Sequence, residues 1–146
     1  MDNDVTRISI IEVPDHPGIA FKIFSALAAN KINVDIILQS VGRAGTKDIS
    51  FTVSTSQKED ALRISEELKS VIGAKEVTFN DNVSKVSIVG AGMLSNPGVA
   101  AMMFEALGEN NINISMISTS EIKISVLIEQ DLAKKAVNAI HDKFDL

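Results

Sequence analysis

Apolar positions along this chain change period in a fixed order. Residues 5–13 alternate roughly between apolar and polar and are rich in β-branched types, which predicts a strand. Pro14-Asp15-His16-Pro17-Gly18 is turn chemistry. The period then lengthens. Ala20, Ile23, Phe24 and Leu27 fall at i, i+3, i+4 and i+7, the stripe of an amphipathic helix, and Asn30 ends it. Residues 32–41 predict a second strand, Gly42-Arg43-Ala44-Gly45 a hairpin loop and residues 47–55 a third strand. Ala61, Ile64, Leu68, Val71 and Ile72 mark a second helix closed by Gly73, and residues 75–79 a short fourth strand. The order βαββαβ predicts an α+β, ferredoxin-like unit: an antiparallel sheet with both helices on one face.

The pattern then repeats. Residues 17–33 read PGIAFKIFSALAANKIN, and residues 97–113 read PGVAAMMFEALGENNIN, eighty positions further on. RISII at 7–11 answers KVSIV at 85–89, and VDIILQS at 34–40 answers ISMISTS at 114–120. The chain is two copies of one unit, residues 1–80 and 81–146. The second copy predicts a strand over 83–90, a helix over 97–109, strands over 112–119 and 121–128, and a helix from about 131 that carries Ala133, Ala136, Val137, Ile140 and Phe144. No fourth strand follows that helix.

Composition narrows the chemistry. The chain has no Cys, so disulfides, thiolate metal sites and a Cys nucleophile are excluded. It has no Trp or Tyr, and its 19 acidic residues outnumber 14 basic ones, for a net charge of −5. Such a chain has no general electrostatic reason to hold nucleic acid or an anionic membrane. No apolar run approaches the roughly 20 residues of a membrane span. The acidic start Met1-Asp2-Asn3-Asp4 does not read as a signal or transit peptide, so the expectation is a cytoplasmic protein. His16 and His141 are the only histidines, with no further ligands at metal-binding spacing, so no metal is expected.

Val86-Ser87-Ile88-Val89-Gly90-Ala91-Gly92 resembles a dinucleotide fingerprint, a strand running into Gly-x-Gly before a helix. The third glycine would fall at Ser95, and Thr119-Ser120 stands where a ribose-binding acid is expected. A parallel βαβ unit also conflicts with the hairpin predicted over 112–128.

The turn from first strand to first helix is more informative, because it occurs in both copies as Asp15-His16-Pro17-Gly18-Ile19-Ala20 and Ser95-Asn96-Pro97-Gly98-Val99-Ala100. Helix-start amides attract a carboxylate, and glycine lets a ligand approach the backbone. Asp15 suits an ammonium group, and the combination fits an α-amino acid. The same residues also suit a plain Pro-Gly helix start in which Asp15 is a capping residue.

Several stretches carry a family resemblance: Val13-Pro14-Asp15-x-Pro17-Gly18-x-Ala20, Asn33-x-Asp35-x-Ile37-x-Gln39, Val89-Gly90-Ala91-Gly92-Met93, Pro97-Gly98-Val99, and Ile117-Ser118-Thr119-Ser120-Glu121-Ile122-x-Ile124-Ser125. Together they resemble the C-terminal regulatory region of aspartate kinase, a tandem pair of ACT domains, and the resemblance covers essentially the whole chain. It implies a regulatory region or subunit with no catalytic residues of its own. Aspartate kinase phosphorylates the β-carboxylate of aspartate with ATP, and ATP would bind only a catalytic domain that this sequence does not supply. No cofactor is implied, only an end-product amino acid, lysine and/or threonine, acting as feedback inhibitor.

The resemblance also implies a homodimer through the ACT domains, joined to the kinase catalytic domain or subunit, with effector seated where one copy faces the other copy of the partner chain. It assigns Asp15 to the effector amine, the backbone of Gly18, Ile19 and Ala20 to the carboxylate, Gln39 as a reach from the second strand, and Asn113 and Ile114 as backbone contributors. A second effector site would use Met93, Ser95, Gly98, Ser120 and Glu121, faced by Asn33 and Val34. Two positions depart from the relatives. Ala100 stands where threonine-sensing relatives have a hydroxyl, and Ser115 where lysine-only relatives often have an acid, although Asp35 holds the matching place in the first copy.

In the family, the strand missing from the second copy comes from the segment before the first copy. Here the first strand begins almost at once. The expected consequence is a sheet edge with unpaired backbone groups that stays open, is capped by the Phe144-Asp145-Leu146 tail or pairs with another chain, the last two being favoured because an open edge invites association. Rival readings are an ACT pair sensing amino acids in another pathway, a ligand-free dimerisation module, and a nucleotide-dependent enzyme using residues 90–92.

Overall fold

The computed structural model describes residues 1–41, 44–89 and 98–144. The chain divides into two compact units, Asp4–Asp81 and a second made of Met1–Asn3 with Asn82–Leu146.

In the unit Asp4–Asp81 the elements are β1 (Thr6–Pro14), α1 (Ile19–Ala29), β2 (Ile37–Val41), β3 (Thr46–Val53), α2 (Lys58–Ile72) and β4 (Glu76–Asn80). The strands form an antiparallel sheet in the order β2-β3-β1-β4, the ferredoxin-like arrangement expected from the period changes. Register explains which residues are core. Ile8 stands opposite Phe51 and Ile10 opposite Ile49. All four are buried, together with Ile23 and Leu27 of α1 and Ala61 and Ile64 of α2. Phe24 and Phe51 meet edge to face at 5.8 Å. The alternate face carries Ser9 and Ser50, whose hydroxyls are 2.7 Å apart, with the Arg7 guanidinium donating to Ser50 at 3.2 Å. Asn30 caps α1 and Gly73 closes α2 with φ 79°.

The second unit holds β5 (Val83–Val89), α3 (Gly98–Glu109), β6 (Met116–Thr119), β7 (Lys123–Glu129) and α4 (Ala133–Lys143). Its sheet has the order β5-β7-β6, so β5, β7 and β6 take the places of β1, β3 and β2. Even the serine pair recurs, Ser87 to Ser125 at 2.7 Å. Val86, Met103, Leu107, Val126, Ile128 and Ala136 make the core. Lys143 bonds Glu105 and, at 2.7 Å, Glu109, tying the end of α4 to α3. The hydrogen bond from Lys143 holds the Glu105 carboxyl below its usual range, and its bonds to Glu105 and Glu109 push the Lys143 ammonium up.

Two expectations need correction. The predicted strand over 32–41 is regular only from Ile37, and that over 112–119 only from Met116. Residues 35 and 36 are still bound to β3, but irregularly: the Asp35 amide donates to the Thr52 carbonyl, and Ile36 exchanges with both the hydroxyl and the amide of Thr52. Ile32 and Ile36 are buried without a regular ladder, so their alternation resembled a longer strand.

The edge of the second sheet departs from the expectation at one position. Asp2 forms an antiparallel bridge with Lys85 of β5, with amide-to-carbonyl distances of 2.8 Å both ways, and its carbonyl accepts from the Ser84 hydroxyl at 3.1 Å. The start of the same chain therefore meets the edge at one position, which is why residues 1–3 cluster with the second copy and not the first. Backbone groups pair irrespective of the low β-propensity of Asp. Phe144 packs on the second core, while Asp145 and Leu146 lie outside the described residues.

As the hairpin predicted over 112–128 requires, β5 and β6 are not neighbours. Both pair with β7, so the β5–α3–β6 segment is no adjacent parallel βαβ unit of the dinucleotide-binding kind. Its Gly-x-Gly stretch, residues 90–92, lies outside the described residues.

Candidate functional site

The first candidate site grows from a defect in β1. Ile10 pairs with Ile49, but Val13 pairs with Lys47, so one extra residue is accommodated between them. Glu12 absorbs it with φ 53°, a left-handed conformation uncommon for a residue with a side chain. The bulge is held from β3: the Glu12 amide donates to Asp48 Oδ1 at 2.9 Å. The chain then leaves the sheet at Pro14, and the Asp15 amide donates to the Gly45 carbonyl at 2.8 Å. Asp15 is thereby positioned by its backbone, and its exposed carboxylate lies 3.2 Å from Lys47 Nζ.

Helix α1 starts from Gly18, whose φ of 89° only glycine adopts without strain. Among the described residues no side chain caps this helix, so Asp15 does not act as its capping residue. The Lys22 amide makes the first helical bond, to the Gly18 carbonyl at 3.1 Å, and the Ile19 amide reaches the His16 carbonyl at 3.2 Å. Ala20 and Phe21 follow with no backbone acceptor for their amides among the described residues. The turn thus presents helix-start donors and a carboxylate together. Of the expected carboxylate-binding backbone, Gly18 and Ala20 remain available, while Ile19 is engaged within the turn and its side chain is buried.

Gln39 lies on β2 opposite Ile49, and is exposed. It shares the helix-bearing face with Ile49 and stands one pleat repeat from Val41, which is opposite Lys47. Asn33 and Val34 follow α1. The Asn33 amide donates to Gln57 Oε1 at 3.0 Å, while Gln57 Nε2 donates to the Lys31 carbonyl at 2.8 Å. This glutamine fastens the segment after the helix. Val34 packs on the first core, and its counterpart Ile114 packs on the second beside exposed Asn113.

For the second candidate site, Gly98 opens α3 and is exposed. Ser120 turns back on itself, its amide donating to the Lys123 carbonyl at 2.7 Å, and Glu121 is exposed beside it. Met93 and Ser95 lie outside the described residues. Sequence reading missed Lys47, Asp48 and Gln57. Only Lys47 carried a usable signal: in a ferredoxin-like sheet the third strand runs beside the first, so its opening residues come next to whatever follows the end of the first.

Two βαββ-based units repeated in tandem, the first with a helix-start turn between β1 and α1, have the architecture of a paired ACT-domain protein. Residues 6–73 and residues 86–144 each match an ACT domain family. The solved aspartokinase α and β subunits include a chain that superimposes with a TM-score of 0.92 at 46% identity, covering 99% of this chain and 95% of that one. The ligand-free regulatory subunit of aspartate kinase from Thermus thermophilus gives 0.93 at 42% identity, covering 98% of this chain and 94% of that one. The aspartate kinase of Pseudomonas putida is 48% identical over 145 residues, which is 99% of this chain. This chain belongs to the aspartate kinase family, as its ACT-domain regulatory region. It spans 35% of the length of that Pseudomonas putida relative. Among the described residues, no helix is long and apolar enough to cross a membrane.

Proposed function

We propose that this chain senses an end-product amino acid, lysine and/or threonine, and transmits feedback inhibition to an aspartate kinase catalytic domain or subunit that phosphorylates aspartate with ATP. The observation that carries this reading is the β1–α1 turn. One exposed carboxylate and the free amides at the start of α1 are the complement of an α-amino acid's ammonium and carboxylate. The likeness to aspartate kinase regulatory subunits over nearly their whole length supports the choice of pathway. Effector choice between lysine and threonine rests on the resemblance alone.

The working form is a two-fold homodimer, with Asn113 and Ile114 of the partner chain completing the first site, and Asn33 and Val34 the second. Edge strand β2 supports assembly, because Ile37, Leu38 and Val41 are all exposed on it. The protein works in the cytoplasm, where its amino-acid effectors are made.

Calorimetric titration with lysine and with threonine tests this reading. Saturable binding of one or both is expected, together with dimerisation in sedimentation that strengthens with effector. A dimer indifferent to all twenty amino acids would instead mark a ligand-free dimerisation module. Response to a different amino acid would mark an ACT pair of another pathway.

A further inference from the structure

Asp15 already has a cation. Lys47 Nζ lies 3.2 Å from Asp15 Oδ1; the Lys47 side chain is only 17% exposed, whereas that of Asp15 is 55% exposed. An ammonium on a carboxylate is the same contact that the α-amine of a bound amino acid would make at Asp15. The turn does not depend on Lys47 for its shape. The Asp15 amide is fixed to the Gly45 carbonyl, and the preceding bulge is fixed by Asp48. The ion pair is therefore added to a turn that other bonds hold in place, and exchanging its cation would leave those bonds intact.

The second copy shows that this pair is a local addition and not a requirement of the fold. β7 repeats β3 with Ile124 at the place of Ile49, which puts Ile122 at the place of Lys47. Ser95 holds the sequence position of Asp15. Acid and lysine are thus both present in one copy and both replaced by uncharged residues in the other.

We propose that Lys47 is an internal counter-ion that the effector's ammonium displaces from Asp15, so that Lys47 raises the amino-acid concentration needed to occupy the first site. This inference rests on the reading of Asp15 as the amine-binding residue. A half-exposed ion pair is a weak competitor, so the expected effect is modest: removing the Lys47 charge tightens effector binding about two- to fivefold. The opposite role, Lys47 holding the effector's carboxylate, predicts weaker binding on the same substitution.

The experiment is calorimetric titration of lysine and threonine into the wild-type chain, Lys47→Met, Lys47→Gln and Lys47→Arg, each checked for folding by thermal melting. The two neutral variants should bind tighter than wild type, and Lys47→Arg, which keeps the charge, should not. In the wild type, the Lys47 side-chain ammonium resonance should shift as effector is added. Wild-type binding with equal or weaker binding by both neutral variants overturns this inference and leaves the functional reading intact. Absence of wild-type binding to either amino acid overturns both.

Discussion

Among the described residues, the two copies share the order βαββα and differ by one strand. In the first copy β1 is an inner strand, paired with β3 on one side and β4 on the other. In the second copy β5 is an edge, and on its outer side the described residues pair at one position only, Asp2 with Lys85. A pocket of about 160 Å³ lies against that edge, lined by Met1, Val86, Ile88, Val137 and Ile140 among others. Both copies keep the first strand, the first helix and the two strands after it. The fourth strand lies on the far side of the sheet from β2, so its loss leaves the elements of the candidate site in place.

The largest effects are expected in the two cores. Leu27 of α1 and Leu107 of α3 are equivalent residues, and both are fully buried. Truncating either to alanine should cost about 2–5 kcal/mol, read from urea unfolding. If the cores are equivalent despite the missing strand, the two costs fall in the same range. A cost at Leu107 far below that at Leu27 would mean that the three-stranded copy packs loosely.

The helices and the repeat were legible in the sequence because burial follows a single period. Ile23, Leu27, Ala61 and Ile64, picked out by spacing, are all core, and Asn30 and Gly73 end their helices as expected. Strand starts were less legible, because Ile32 and Ile36 are buried by an extended segment with only irregular pairing to β3. The Glu12 bulge had no signal, since glutamate is not a residue that marks a left-handed position. Without the bulge the pairing of Val13 with Lys47 could not be placed, and the Asp15 ion pair stayed hidden. Asp15 itself was legible as chemistry, but its choice between capping and pairing was decided only by geometry.

A smaller effect sharpens the contrast at the edge. Lys85 exchanges both backbone bonds with Asp2, so Ser87 and Val89, two and four residues on, aim their amides the same way. No strand pairs with them on that side among the described residues, whereas Ser9 and Ile11 face Thr78 and Glu76 of β4. Amide exchange at Ser87 and Val89 should be faster than at Ser9 and Ile11 by about tenfold, the upper range of one backbone hydrogen bond. Equal protection would mean that another segment covers the β5 edge.

Recognition of an amino acid by the β1–α1 turn is proposed to run through Asp15. Calorimetric titration of Asp15→Ala beside the wild type puts this to the test. Losing a charge-assisted contact should weaken effector binding by about 1.5–3 kcal/mol, roughly ten- to hundredfold, with the melting temperature of the free protein nearly unchanged because Asp15 is exposed and its turn is held by backbone bonds. Lysine and threonine titrations of Asp15→Ala that overlay those of the wild type would contradict the claim.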